Sequence, residues 1–244
     1  MAAKQNKRLT DQDWKQVLEK GAISLQGQFL LGSNYTFLVT VEYQGCLLPA
    51  VYKPVRGEQP LWDFPEATLA RREVAAYLLS RALGWDFIPV TVLREGPFGL
   101  GSLQQFIEYN PNYHYFNFRP ADVERLRPVA LFDLLANNAD RKGSHVFFQK
   151  RTRRLYAIDH GLCFHVQNKL RTVIWNFAGE PFPQALLESL RRLRAQASVQ
   201  LAALKEYLSP EEIEALEARL EHLLADPVYP FPPRHRRAFP YPPL

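Results

Sequence analysis

The sequence predicts an α+β protein of two lobes, the first rich in β-strands and the second made mainly of helices. Short apolar runs with β-branched and aromatic residues dominate up to about residue 108, and helical spacing of apolar residues dominates after it. With 244 residues, the chain can bury the cores of two small lobes. We expect a first domain over 1–108, a second over 109–226 and a proline-rich tail over 227–244.

Five strands and two helices, one at the start and one over Glu66–Leu83, are predicted for the first lobe. Thr10 can cap a short helix that ends at Gly21, because an acidic residue follows Thr10 three positions later. Gln44-Gly45 separates two strand-like runs and predicts a tight turn. The predicted strands are Ile23–Leu31, Tyr35–Tyr43, Cys46–Lys53, Ile88–Arg94 and Gly101–Glu108.

Helical periodicity and capping signals predict the longer helices. Ser209-Pro210-Glu211-Glu212 combines an N-cap serine, a proline at the first helical position and a glutamate three residues after the cap. The proline-rich tail cannot form a regular helix or a central strand, so it either wraps the surface or is disordered. The predicted helices are Glu66–Leu83, Pro120–Ala136, Pro183–Leu208 and Ser209–Leu224.

The composition of the chain limits which kinds of partner and which cellular compartment we expect. The net charge of +5 is modest, and its basic runs lack interleaved aromatics, so we expect no nucleic-acid binding. No apolar stretch is long enough to span a bilayer, and we expect no stable membrane anchor. Two cysteines and an N-terminus without an apolar signal region predict a cytoplasmic protein. The sequence gives no indication of the oligomeric state.

Two aspartates mark the most informative segment of the chain. Asp140 precedes a strand-like run, a basic turn and a second run, after which Asp159 follows. A tight hairpin would bring both carboxylates to the same end, where one could orient a hydroxyl and the other could hold magnesium for phosphoryl transfer. The alternative is two turn-forming aspartates that flank an ordinary hairpin.

An upstream pair points to the same chemistry. Lys53 ends a predicted strand, and Glu73 lies 20 residues later on the following helix. A lysine on a strand, paired with a glutamate on the next helix, can hold an ammonium against nucleotide phosphates. Taken alone, the two residues could equally be a surface lysine and a solvated glutamate. Their order relative to Asp140 and Asp159 favours the nucleotide-binding interpretation.

These four positions resemble the set found in the protein-kinase-like fold. The sequence around them is most similar to the phosphatidylinositol 3- and 4-kinase branch, especially the type II phosphatidylinositol 4-kinases. The matching segments are Gly32-Ser33-Asn34-Tyr35, Lys53-Pro54, Glu73 to Gly84, Gly101-Ser102-Leu103-Gln104-Gln105-Phe106 and Ile158-Asp159-His160-Gly161-Leu162-Cys163-Phe164.

A further resemblance, over roughly residues 20–244, is to the actinobacterial family called SCO1664-like. It covers more of the chain than one motif could by chance. The segments that carry it are Ala50 to Glu58, Pro60 to Pro65, Asn138 to His145, Leu170 to Glu180 and the proline-rich end. Together the resemblances imply a small bilobal kinase-like fold, with ATP and Mg²⁺ (or Mn²⁺) as cofactors.

The resemblance also implies roles for particular residues. Asp140, assisted by Lys142, would act on the acceptor hydroxyl, and Asp159 would bind the metal. The nucleotide would contact the residues Gly32, Ser33, Asn34, Lys53, Glu73 and a hinge of Gln105, Phe106, Ile107 and Glu108.

His145 departs from the kinase pattern, which has an asparagine as second metal ligand at this place. A histidine there could bind metal, contact a phosphate, mark weakened catalysis or simply pack at the start of a strand. Arg141 and Lys142 could offset charge on the transferred phosphate or be solvated.

Three functions are therefore considered. The first is an ATP- and metal-dependent phosphotransferase that acts on a hydroxyl of a protein Ser/Thr or of a small molecule. The second is a nucleotide-binding pseudokinase that regulates a partner, which His145 and the sparse glycine loop favour. The third is transfer of the nucleotidyl group instead of the phosphoryl group.

Overall fold

The computed structural model describes residues 9–29 and 34–244. The chain divides into two compact units: the first contains residues up to 59 together with 90–106, and the second contains 60–89 together with 107–244. The second unit thus includes 60–89, which the predicted boundary at residue 108 had assigned to the first domain. The reason is bonding between residues that are distant in the sequence. Arg72 donates to the Cys163 carbonyl at 2.6 Å and forms an ion pair with Glu212, so its helix is fixed to later parts of the chain.

In its described residues, the first unit has a five-stranded antiparallel sheet and one α-helix. The helix α1 has the predicted Thr10 cap, whose hydroxyl accepts from the Asp13 amide. The strands follow the order β1-β2-β3-β5-β4 in the sheet. The elements are α1 (Asp11–Lys20), β1 (Ala22–Phe29), β2 (Thr36–Tyr43), β3 (Cys46–Pro54), β4 (Thr91–Gly96) and β5 (Gly99–Gln105).

Two glycines set the geometry of β3. Gln44 and Gly45, with φ of 50° and 76°, form the predicted two-residue turn between β2 and β3. Positive φ at both positions matches the twist of a β-hairpin. At the other end of β3, Lys53 pairs with Ser102 of β5. A Cβ on the adjacent Gly101 would lie 2.6 Å from the Lys53 carbonyl, so only glycine permits this close approach.

The second unit is mainly helical and contains one short hairpin, β6–β7. This hairpin is the predicted one between Asp140 and Asp159, with Val146 opposite Ala157. The elements are α2 (Leu69–Leu83), α3 (Pro120–Glu124), α4 (Arg127–Ala136), β6 (Val146–Phe148), β7 (Leu155–Ala157), α5 (Gln184–Ala195), α6 (Ala197–Gln200) and α7 (Pro210–Ala225).

Two predicted helices are interrupted. The segment Pro120–Ala136 forms α3 and α4, because Pro128 lies in the first turn of α4 and cannot donate an amide backwards. The predicted helix to Leu208 ends at Ala195 and continues as α6 and a 3₁₀ turn over Ala202–Glu206. By contrast, α7 begins as predicted, since Ser209 and Glu212 form the reciprocal capping box.

The proline-rich tail lies along the second unit. The Tyr229 carbonyl accepts from the Gly179 amide at 2.8 Å, and the Ala238 carbonyl accepts from the Thr172 amide at 3.1 Å. Near the end of the chain, the Pro243 carbonyl accepts from the Gly143 amide at 2.8 Å. The tail was predicted either to wrap the surface or to be disordered, and in the structure it wraps the second unit. In the described ranges, no helix is both long and apolar enough to cross a membrane.

Candidate active site

The loop that follows α4 carries the predicted acidic residue Asp140. Helix α4 ends where Asn137 adopts a left-handed conformation, with φ of 54°. The loop then runs beside residues 171–173, since the Arg141 amide donates to the Arg171 carbonyl and the Val173 amide donates to the Arg141 carbonyl. Arg141 and Thr172 thereby form a parallel bridge. Alternate side chains of such a paired segment point to opposite faces, so neighbours of Arg141 face away from it.

The inner face of this loop is a buried ion-pair network. Arg141 and Asp133 have fully buried side chains, and their charged atoms lie 2.9 Å apart. Asn138 and Thr172 also donate to Asp133, at 3.0 and 3.3 Å. Burial alone would lower the pKa of Arg141, but the Asp133 carboxylate raises it above its usual value. His160 completes the network, with its Nε2 2.7 Å from Arg141. Arg141 is thus structural, and it cannot meet a phosphate at the surface.

The outer face of the loop presents Asp140 and Lys142. The Asp140 side chain is 26% exposed, and its Oδ2 lies 3.3 Å from Lys142 Nζ. Burial raises the pKa of Asp140 to about 6, Lys142 lowers it, and the Asp159 carboxylate raises it again. A carboxyl with such a pKa can take and release a proton near neutral pH, which suits a general base.

Asp159 and His145 meet at the base of the β6–β7 hairpin. Asp159 has φ of 62°, an uncommon value for a residue with a side chain, and its carboxylate is 48% exposed. His145 is buried, and its Nε2 lies 3.2 Å from Asp159 Oδ2. The Lys142 amide donates to His145 Nδ1 at 3.4 Å. Because Nδ1 accepts in this arrangement, the ring proton lies on Nε2 and faces Asp159.

This pair fits one side of a divalent cation. Two neighbouring ligands of an octahedral cation, each at about 2.1 Å, are about 3 Å apart, close to the separation of these two atoms. His145 could bind such a cation only after its proton moved to Nδ1. Within the described residues, no group of three or more His, Cys, Asp or Glu side chains converges as a metal centre. Any cation here would need phosphate oxygens or water as further ligands.

Glu73 fixes the segment that carries Asp159. Its carboxylate is buried, and Oε2 accepts from the His160 amide at 3.0 Å. His160 follows Asp159 directly, so this bond holds the Asp159 backbone in place. Lys53 belongs to the first unit and Glu73 to the second. The predicted Lys53–Glu73 pair stays a prediction.

Of the predicted phosphate loop, Gly32 and Ser33 lie outside the described residues. The third member, Asn34, accepts from the Gln59 amide through Oδ1 at 2.7 Å. This bond ties Asn34 to the segment after β3, within the first unit. The nucleotide contact predicted for these three residues stays a prediction.

Part of the predicted hinge is already hydrogen-bonded. The amides of Gln105 and Phe106 donate to the carbonyls of Val90 and Pro49. The Glu108 carbonyl accepts from the Lys150 amide, and its carboxylate pairs with Lys150 Nζ at 3.0 Å. An adenine contact in this segment would therefore fall to its other main-chain groups, such as the Ile107 amide. The Ile107 side chain packs in a buried cluster with Phe147 and Tyr156.

Sequence reasoning missed Asp133 and Thr172. A signal existed for Asp133, since it is a single acidic residue within the apolar segment Val129–Ala136 of a helix. An aspartate on a buried helix face needs a charged partner, and the neighbouring loop offers Arg141. No comparable signal marked Thr172.

The chain has a kinase-like fold. The chain superimposes on the Helicobacter pylori proinflammatory kinase CtkA with a TM-score of 0.55 and 12% identity, over 87% of this chain and 94% of CtkA. This likeness confirms the predicted α+β kinase-like fold.

Relatives by sequence identify the family. The chain is 39% identical to Protein Rv2133c of Mycobacterium tuberculosis over 90% of its length and 92% of that protein. The chain therefore belongs to the Rv2133c family. It is also 29% identical to Phosphatidylinositol 4-kinase gamma 4 of Oryza sativa subsp. japonica, over 46% of this chain and 24% of the rice protein. No family model matches the chain. The SCO1664-like name stays a prediction.

Proposed function

We propose that this protein is an ATP- and divalent-metal-dependent phosphotransferase that moves a phosphoryl group to a hydroxyl acceptor. The kinase-like fold and the partial likeness to a phosphatidylinositol 4-kinase support this class of reaction. A fold does not carry a substrate with it, so the likeness assigns no lipid acceptor.

The observation that carries the proposal is the outer face around Asp140. Its carboxyl has a pKa of about 6, interacts with the Asp159 carboxylate and lies beside the Lys142 ammonium. Such a group can accept the hydroxyl proton of an acceptor near neutral pH. Lys142 would stabilise negative charge that develops beside it.

The other predicted residues would position the nucleotide and the metal. Asp159 would be the metal ligand, and the metal would supply charge neutralisation of the phosphates when bound. His145 would orient the Asp159 carboxylate through Nε2–H, or bind the metal in its other tautomer. Glu73 would hold the backbone of the Asp159 segment. Lys53 would hold nucleotide phosphates.

The test combines nucleotide binding with isotope transfer. The purified chain is titrated with Mg-ATP in a thermal-shift assay and then incubated with α- or γ-labelled ATP and panels of proteins, sugars and polyols. We expect stabilisation by Mg-ATP and transfer of the γ-label alone. Transfer of the α-label would indicate nucleotidyl transfer instead.

Matched variants tie the activity to the site. Asp140→Asn and Asp159→Asn should lower transfer by about 100-fold or more. Lys53→Met should weaken nucleotide binding, whereas the exposed control Asp226→Asn should behave like the wild type. Unchanged transfer in both Asp140→Asn and Asp159→Asn would remove the outer face from the mechanism.

His145 favours a second candidate, a nucleotide-binding pseudokinase. Its Nε2–H points at the carboxylate that would hold the metal. Stabilisation by ATP without any turnover, together with a gain of turnover in His145→Asn, would establish this candidate over the first.

A further inference from the structure

The register of the Asp140 loop places a second cation, besides Lys142, on the outer face. Arg141 pairs with Thr172, and both side chains point inwards to Asp133. Because side chains alternate along a paired segment, Arg171 faces outwards with Asp140 and Lys142. Main-chain bonds fix this register, since the Arg171 amide donates to the Asn138 carbonyl at 2.9 Å and its carbonyl accepts from Arg141 at 3.0 Å.

Arg171 is not neutralised by the fold. In the part of the chain that the structure describes, its side chain forms no salt bridge and no hydrogen bond. It is half-buried, and it acts on Asp140 from close enough to lower the pKa of that carboxyl. Its guanidinium therefore keeps its N–H donors available for an anion.

The tail brings a second guanidinium to the same place. Arg236 donates to the Leu170 carbonyl at 2.7 Å and to Asn168 Oδ1 at 2.8 Å, so it is held one residue away from Arg171. Burial lowers the pKa of Arg236, and the charge of Arg171 lowers it further. Two like charges are thus held together, with N–H donors of Arg236 still available, since a guanidinium has five.

We propose that Arg171 and Arg236 form an anion-binding subsite beside Asp140, which holds an oxyanion of the acceptor substrate. The proposal rests on the proposed function and names the acceptor class: a hydroxyl compound that also carries a phosphate ester or a carboxylate. Guanidinium forks match both groups in bidentate geometry. The hydroxyl would lie at Asp140 while the oxyanion meets the two arginines.

The first experiment measures anion binding without any nucleotide. The full chain is titrated with inorganic phosphate, and binding is followed by calorimetry and thermal shift. We expect saturable binding that weakens about tenfold in Arg171→Gln and in Arg236→Gln. Arg236→Lys, which keeps the charge, should recover part of the affinity. The matched control is Arg234→Gln, an exposed arginine of the same tail.

The second experiment compares acceptors. Glycerol, glycerate and glycerol 3-phosphate are offered with γ-labelled ATP, and vesicles with a phosphoinositide form a separate arm that shows whether a membrane presents the anion. Glycerate and glycerol 3-phosphate should have a higher kcat/KM than glycerol. Arg171→Gln should remove this preference, mainly by raising the KM of the two charged acceptors. If Arg171→Gln instead loses activity equally with charged and neutral acceptors, Arg171 acts on the transferred phosphoryl group and the proposal is overturned.

The two experiments separate the failure of the subsite from the failure of the proposed function. Phosphate that binds the wild type and both glutamine variants with equal affinity, or does not bind the wild type, overturns the subsite whether or not the chain transfers phosphate. Phosphate binding that depends on both arginines, in a chain without transfer, supports the subsite and counts against the phosphotransferase.

Discussion

On the inner side of the Asp140 loop, Asp133 receives donors from Arg141, Asn138 and Thr172, and all four residues are buried. The outer side differs: Asp140 is partly exposed, and in the described structure the Arg171 side chain forms no hydrogen bond or salt bridge. Polar groups with complete partners stabilise a fold, whereas incompletely neutralised groups are available for a ligand. The comparison predicts that substitutions on the two faces act on different properties.

The largest effect is expected on the inner face, from Arg141→Ala. Removal of Arg141 leaves the Asp133 carboxylate buried without its counter-charge, which costs about 3–5 kcal/mol of unfolding free energy. A thermal or urea melt should show this loss. The double variant Asp133→Leu/Arg141→Met should be more stable than Arg141→Ala, because it removes both charges.

The exposed turn arginine Arg151 provides the control for this substitution. Arg151→Ala should change stability by no more than about 0.5 kcal/mol. If Arg141→Ala lowered the free energy of unfolding as little as Arg151→Ala, the Arg141–Asp133 network would not be what stabilises the loop.

On the outer face, Asp140→Asn should separate activity from stability. Transfer should fall by about 10²–10⁴, as for loss of a general base. At pH 7.5 the variant should nevertheless be more stable, on the order of 2 kcal/mol, because the raised pKa of Asp140 means that its ionised form destabilises the fold. Melts over pH should show this advantage disappearing below about pH 4, where the folded and unfolded carboxyls are both protonated. A variant less stable than the wild type at pH 7.5 would contradict this assignment.

The raised pKa of Asp140 should also be visible in the pH dependence of phosphoryl transfer. The base form of Asp140 is lost as the pH falls through about 6, so kcat/KM should drop about tenfold per unit below that value. Lys142, Arg171 and Asp159 are the charged groups that act on this carboxyl. This fall in kcat/KM at low pH is the acid limb of the profile, and the residual activity of Asp140→Asn should lack it. An unchanged acid limb in the variant would show that another group titrates there.

Much of the local structure followed from the sequence. The β2–β3 turn was predicted by Gln44-Gly45 and the start of α7 by its Ser209–Glu212 box, because the signals for these features lie within four residues. The hairpin between Asp140 and Asp159 was predicted from alternating strand and turn residues. Local chemistry also explains the break between α3 and α4, because Pro128 lies in the first turn of α4.

What could not be predicted depends on contacts distant in sequence. The bridge between Arg141 and Thr172 decides which basic residue faces outwards, and nothing near Arg141 indicates that residue 172 will lie beside it. Sequence reasoning therefore considered Arg141 and Lys142 as cations of the site and did not consider Arg171. The grouping of 60–89 with the second unit is another such case, since it rests on bonds from Arg72 to residues about 90 and 140 positions away.

The smallest expected effect tests whether Arg171 truly shares the outer face. Lys142 and Arg171 both lower the pKa of Asp140, and Lys142 is the stronger of the two. Removing either positive charge should therefore shift the acid limb of kcat/KM to higher pH, more in Lys142→Gln than in Arg171→Gln. Arg171→Lys should restore the limb, because it keeps the charge while losing the planar fork that binds an oxyanion. If the acid limb of kcat/KM does not move in Arg171→Gln, the Arg171 guanidinium lies too far from Asp140 to affect its pKa. Asp140 and Lys142 would then be the charged residues that distinguish the outer face of the loop from the inner face.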